Sequence, residues 1–485
     1  MNTSSRIRFW MLLSNLWLIG GGAWAYQWPV SPFAGPHPIS ATMGEWRDNP
    51  PHLHAGVDIA REAGINVYPS VTGSIPNPAR ERPEDPLPAD VYQNGHYLKV
   101  GDLDYVHIVP DQSIIDWLRE NEGQDYPVTA GITLLGTIQA MDAAHLHLEE
   151  ANGGANPLRM GGLDNYEDTG RAYVYTLEFV REGTETILTD RIYGKMDILS
   201  RAKDSQSNGS ATVSVHRIGY QVKNSQDTIV LGPLYNLQFD STVGGSRGWV
   251  YANFGDRQSN LSTYYYWVTN TQSEGRYWNT RLKTGQLWNG ADAVLNSEAA
   301  YPDGRYKVST LAFDIRGNGG NLDTSEGAMT VDIDVDNFRP FLERAEIRNS
   351  DGVTKYLHTW NLNGTALEKS GPAPNEALGD GTYTINLRFS EPVVNPTVAI
   401  NTYEGTLTLA SSDPAGNQKN FSANFSVGNN SPQEGLRTMT VNAADLAGNA
   451  LLLLPVTKTT INPGSEITRN SEGTMQGTPG SASVD

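Results

Sequence analysis

A chain of 485 residues with a formal charge of −19 and no cysteine has room for about three domains and excludes several classes of function at once. There is no basic footprint for nucleic acid, no disulfide, no thiolate nucleophile, no cysteine-ligated zinc and no lipoprotein anchor. Charged residues are only 18%, Gly (49) and Pro (27) are plentiful, and the prevalence of Tyr, Thr, Val and Asn favours β-sandwich architecture over helical bundles.

Residues 1–25 read as a signal peptide. Arg6 and Arg8 form a positive start, Phe9 to Ile19 an apolar core, and Ala23-Trp24-Ala25 a small-x-small cleavage site. The apolar core is too short to span a bilayer comfortably, and no later segment is apolar for long enough. The expected product is exported, either secreted or periplasmic and cell-surface, without a membrane span after cleavage. Its acidity keeps it soluble and does not favour adhesion to anionic wall polymers. Only Tyr26 to about Ser40 precede the first motif, so no large propeptide is expected.

Residues 26–165 form the first unit. Met43-Gly44-Glu45-Trp46-Arg47 leads into His52-Leu53-His54-Ala55-Gly56-Val57-Asp58. An alternating strand is expected from Gly64 to Gly73, closed by a turn glycine, then an exposed Pro- and acid-rich loop from Pro76 to Asp90. Gly95 to Ile108 alternates again and ends on Tyr105-Val106-His107. Asp111 to Asn121 predicts a helix with Ile114, Ile115 and Leu118 inward, and Gly131 to Ile138 a further strand.

The last strand of this unit, Ala144-His145-Leu146-His147-Leu148-Glu149, places His145, His147 and Glu149 on one face and the leucines on the other. Two imidazoles so spaced can share a metal site, one binding and the other working beside it. Taken alone, they equally describe a strand with two outward histidines. The distribution decides: seven of the nine histidines (His37, His52, His54, His96, His107, His145, His147) precede residue 150, and only His216 and His358 follow. A structural histidine has no reason to prefer one third of a chain.

His54-x-Gly56-x-Asp58, Tyr105-x-His107 and His145-x-His147-x-Glu149, in that order, resemble the lysostaphin/LytM-type zinc endopeptidases (duplicated hybrid motif peptidases). Met43-Gly44-x-x-Arg47, the Gly64–Gly73 stretch and Asn156-Pro157-Leu158 match the family's supporting motifs, so the resemblance covers about residues 35 to 160. Two departures stand out: Gln139 to Ala144 replaces the usual Gly-rich turn before His-x-His, and the loop from Pro76 to Asn94 is unusually proline-rich and acidic. Both flank the groove and bear on substrate choice more than on chemistry.

The resemblance implies one zinc per chain, held by His54, Asp58 and His147, with His145 and His107 as the catalytic pair. Zinc accepts imidazole and carboxylate ligands and keeps a position for water, whose acidity it raises. A neutral His145 is then the general base, a protonated His107 stabilises the oxyanion, and Glu149 orients one histidine. His52, two residues from His54, is the competing ligand, although Gly56 and Asp58 set the register on His54. No Gly-x-Ser-x-Gly elbow offers a serine alternative.

Beyond residue 165, strands are expected at Tyr173–Val180, Thr212–Val222, Val308–Phe313 and Met329–Val335. Asp303-Gly304-Arg305-Tyr306 echoes Asp380-Gly381-Thr382-Tyr383, and Asp314-x-x-Gly317-Asn318 recurs at Asp445 and Asp413. Gly and Asn accept the positive φ of tight turns. These turns resemble those of bacterial immunoglobulin-like domains. The expected fold is therefore mainly β: a small antiparallel metallopeptidase sheet, a β-sandwich over 166–340, an Ig-like sandwich over 341–462 and a disordered tail over 463–485. Asp332, Asp334 and Asp336 alternate near a junction, where they form either a calcium site or a solvated strand face.

The function implied is zinc-dependent hydrolysis of peptidoglycan peptide bonds. Alternatives are a catalytically silent regulator or surface-binding protein on the same fold, or an endopeptidase acting on Gly-rich extracellular protein. What the sandwiches bind is not readable from their residues.

Overall fold

The computed structural model describes residues 25–79 (except Asn49), 97–151, 154–206, 211–281, 301–322, 327–363, 366–370, 378–400, 407–427, 439–451, 460–461, 465–469 and 475–479. The expected signal peptide up to Trp24, most of the loop after Pro76, His96 and Leu452–Leu454 lie outside these residues. Strands dominate, most of them antiparallel, and two helices occur among the described residues. None of the described helices is long and apolar enough to cross a membrane.

The sheet that carries the histidines has five strands, in the order Ile39–Ala41, Val57–Ala60, His145–Glu150, Leu103–Val106 and Tyr97–Val100. Alternation drives its formation. Leu146, Leu148, Val57, Ile59, Leu98, Val100 and Tyr105 are fully buried in a cluster with Trp28, Ile114 and Leu118. Each such side chain contributes about 1.5–3 kcal/mol on burial. Pairing of His147 with Asp58 and of His145 with Ala60 fixes the register, and a slip of one residue would turn the imidazoles into the core. The helix Gln112–Glu120 buries Ile114, Ile115 and Leu118, and the Asp111 side chain caps it through Ser113 N.

Several strands are shorter than alternation suggests. Within Gly64–Gly73 only Asn66–Val67 and the last residue, Gly73, pair, and they do so in different sheets. Beyond Val67, Pro69 has no N–H to donate, while its carbonyl is taken by Gly131 N and the Gln27 side chain; Gly73 opens the strand Gly73–Ile75 instead of closing a turn. Gly101, at φ 59°, folds the 95–108 stretch into a hairpin of Tyr97–Val100 with Leu103–Val106. Of Gly131–Ile138 only Gly136–Ile138 is strand, and Thr212–Val222 divides into Thr212–Val213 and Arg217–Asn224. Residues 465–469 and 475–479 pair as an antiparallel ribbon where composition suggested disorder.

A second apolar cluster joins residues 172–335, and a third residues 342–451. The second also takes in Met43, Trp46 and Leu53 from the first unit. The Asp314 and Asp445 turns are alike: Gly317 and Gly448 have φ 88° and 92°, and each Asp accepts from the backbone N of its Asn at 2.7 Å. At Asp413 the carboxylate instead accepts from Lys419 N and Asn420 N.

Candidate metal centre

The two strands that pair His147 with Asp58 bring those side chains together at mid-strand, and the third member arrives on a hairpin. Trp46 and Arg47 pair with Leu53 and His52, while Gly44 N and Glu45 O bond the backbone of His54. Gly56 is required in His54-x-Gly56-x-Asp58 because a Cβ there would lie 2.3 Å from the Leu148 carbonyl oxygen. His54 is 3% and Asp58 7% exposed.

Three atoms converge: His54 Nε2 lies 2.8 Å from His147 Nδ1 and 3.0 Å from Asp58 Oδ1, and the last two are 2.9 Å apart. The opposite nitrogens are already committed. His54 Nδ1 donates to the Thr42 carbonyl at 2.8 Å, and His147 Nε2 donates to Glu149 Oε2 at 3.1 Å. Neutral imidazoles so fixed turn lone pairs inward, onto a carboxylate oxygen that also only accepts. Three acceptors this close need a positive charge between them, as either a proton or a metal ion.

The electrostatics agree. Burial would raise the Asp58 pKa, but His54 and His147 outweigh it and hold the carboxyl well below its usual range. Burial pulls His147 down, yet its bonds to Asp58 and Glu149 push it up to about 9, while burial takes His54 down to about 4 against the pull of Asp58. Without a metal, His147 is thus the group that carries the central proton. Two imidazole nitrogens and a carboxylate oxygen suit zinc.

His145 and His107 flank the cluster without joining it. His145 Nδ1 donates to the Ala143 carbonyl at 2.8 Å, which leaves Nε2 facing inward, 3.6 Å from Asp58 Oδ1. Ala143 stands at φ 53°, the left-handed conformation that a Gly-rich turn would supply without strain. His107, at φ 63°, turns its ring to 4.8 Å from that of His145 and 6.2 Å from that of His147. Burial, then the neighbouring His145 and His147, push its pKa down to about 4. These surroundings favour the neutral form of His107 over the protonated one that the resemblance implies. His52 is exposed and bonds the Pro50 carbonyl at 2.5 Å. It stays outside the cluster.

A layer beneath the ligands could not be read from the sequence. Arg47 donates through Nη2 to Asp58 Oδ2 at 2.9 Å and through Nη1 to Glu45 Oε2 at 3.2 Å. Glu45, 2% exposed, accepts from Thr42 N at 2.8 Å and from Ser214 N at 3.2 Å. Tyr251 Oη bonds the Gly44 carbonyl at 2.7 Å, and the Arg247 guanidinium lies 3.9 Å over the Trp46 ring. A side chain at Gly44 (φ 90°) would lie 2.2 Å from the Phe239 ring. The hairpin bearing His54 is thus clamped by residues 169–207 positions away. The motif Met43-Gly44-x-x-Arg47 was visible; the partners that give it purpose were not.

Asp332, Asp334 and Asp336 do not converge. Asp332 is exposed and Asp334 half-buried, both beside Arg305. The strand ends at Val335, and Asp336 turns inward to Arg191 at 3.0 Å and to a group with Glu391 and Asp445. Asp168, Asp204 and Asp314 form another buried carboxylate group. No protein-family model matches the chain and no curated protein matches its sequence, so a functional reading stands on the geometry of these residues.

Proposed function

We propose that the chain is an exported zinc endopeptidase of the lysostaphin/LytM type, hydrolysing peptide bonds of bacterial peptidoglycan. The observation that carries this reading is the convergence of three mutually close acceptors, with two further histidines, in contact with each other, beside them. In the same reading residues 26–165 are the peptidase unit, and 166–340 and 341–462 are two β-sandwich units. In support of the latter, each of the two later apolar clusters draws its side chains from separate, mainly antiparallel sheets.

His54, Asp58 and His147 would hold the zinc, which when bound polarises a carbonyl and makes water acidic enough to attack at neutral pH. The Thr42 carbonyl and Glu149 fix the two imidazole tautomers, so each ring would offer its inward nitrogen to the ion. His145 Nε2 takes the proton of the attacking water and passes it to the departing amine, a role that requires the Nδ1 bond to Ala143 to keep the ring aimed inward. His107 donates its N–H to the substrate carbonyl oxygen as negative charge develops there.

The test uses the mature full-length protein and His145→Ala. About one zinc per chain is expected in both. The variant should lose hydrolysis of purified peptidoglycan by about 10²–10⁴-fold, the usual worth of a positioned base. Unchanged hydrolysis in the variant, or a wild-type chain without zinc, would overturn the reading. Zinc bound by a wild-type chain that cuts nothing would favour the regulator.

A further inference from the structure

One buried member of the histidine excess, His37, lies outside the metal centre. His37 is 1% exposed, edge-on to Trp28 at 4.9 Å between centroids, and its Nε2 donates to the Pro32 carbonyl at 3.0 Å. Burial lowers its pKa, so Nδ1 is left with a lone pair. That lone pair accepts a hydrogen bond from Arg61 Nη2. His37 therefore acts as a bracket for a guanidinium.

Arg61 lies directly beyond the strand that carries Asp58, on the wall of an open groove of about 720 Å³. The other lining residues are Ala60, Glu62, Ala63, Ile65 and Ala144. Ala60 is the backbone partner of His145 and Ala144 precedes it, so the groove starts beside the proposed base. Glu62 is exposed at its rim. Among the described residues no carboxylate pairs with Arg61, and its Nε is buried without a hydrogen-bond partner. In a chain of charge −19 this cation is held in place, partly dehydrated and not neutralised. A guanidinium is always charged, and a carboxylate meets it with two oxygens in the plane of its N–H groups.

We propose that the Arg61 groove is a subsite for a carboxylate of the substrate peptide, with small side chains between that carboxylate and the bond cut. The alanine-lined walls leave room for a backbone with short side chains. Arg61 is three residues from Asp58, about 10 Å along an extended strand, so the carboxylate sits two to three residues from the scissile bond. This rests on the proposed peptidase reading. The carboxylate can be a chain terminus or an acidic side chain.

The experiment measures binding separately from turnover. Three short acetylated peptides would be titrated into the zinc-treated full-length chain and into Arg61→Ala and Arg61→Lys. One is Gly-Ala-Ala-Ala with a free C-terminus, one is its amide, and one is the amide of Gly-Ala-Ala-Glu. Wild type should bind one of the carboxylate peptides at least tenfold more tightly than the neutral amide, and which one it prefers identifies the source. Arg61→Ala should bind all three alike, Arg61→Lys should recover part of the preference, and zinc content should stay within error of wild type. In hydrolysis of peptidoglycan the loss in Arg61→Ala should fall on KM and leave kcat. A wild-type chain that does not distinguish the carboxylates from the amide, or an Arg61→Ala chain that still does, overturns the proposal. Failure to cleave peptidoglycan with the carboxylate preference intact would instead overturn the peptidase reading and leave the subsite standing.

Discussion

Removing Arg47 tests the clamp beneath the metal ligands. Its side chain is 18% exposed and joins two carboxylates whose own side chains are only 3% (Glu45) and 9% (Asp58) exposed. In Arg47→Ala both are left in a site too buried for water to replace the lost bonds. Breaking a buried pair from one side costs about 3–5 kcal/mol, and that loss of unfolding free energy is expected for chelator-treated protein. A bound cation compensates Asp58 but not Glu45, so with zinc the loss should shrink to about 1–3 kcal/mol, the penalty of one unsatisfied buried group. The pH dependence follows. Burial already raises the Glu45 pKa, with Arg47 opposing it. Without Arg47 it rises further, and stability carried by a raised carboxyl is present at low pH and lost as pH climbs through the folded value. The variant should therefore lose more at pH 8 than at pH 5. Urea denaturation at both pH values, with chelator and with zinc, gives the four numbers. A loss below about 1 kcal/mol in the chelated protein, or one indifferent to zinc, would refute the reasoning.

Two further outcomes are expected. Gly44→Ala places a methyl against the Phe239 ring at a positive φ and should destabilise by on the order of 2 kcal/mol. Adding Phe239→Leu should recover only the steric part, and a neutral Gly44→Ala in thermal denaturation would show that the turn shifts freely. Asp204 is pushed up to about 8 by burial and then by Asp168 and Asp314. Its stabilising share is present below the unfolded value near 3.8 and disappears as pH rises through about 8. Melting temperature should fall across that interval, and Asp204→Asn should flatten the fall without abolishing it, since Asp197 is raised to about 8 as well. An identical slope in the variant would remove Asp204 from the explanation.

How much was legible depends on the range over which each residue acts. His145-x-His147-x-Glu149 is a local pattern on one strand, where alternation alone places the side chains on one face beside Asp58, whereas His54 reaches them from a hairpin outside that strand. The mainly β character follows in the same way from composition and turn residues. Strand lengths were overestimated wherever a carbonyl or N–H found a distant partner, as Pro69 does with Gly131 and Gln27. Glu45 reads as an ordinary surface acid, because what buries it is Ser214 and the strands beyond it. Arg61 reads as one charge among many, since nothing near it announces His37. Asp336 separates from its neighbours Asp332 and Asp334 only because the strand stops at Val335.

The Glu45 carboxylate has a consequence for how this protein can be divided. It stands in the hairpin that carries His54, yet one of its donors is Ser214, and Met43, Trp46 and Leu53 lie in a core formed mainly by residues 172–335. A cut near residue 165 would separate sequence that reads as two modules but would strip the floor from the ligand hairpin. A histidine and an aspartate would remain, at positions no longer dictated to them. The middle segment thus acts as a jig for the metal-binding edge, and a graft of residues 26–165 onto another carrier would need the 214–251 surface to travel with it.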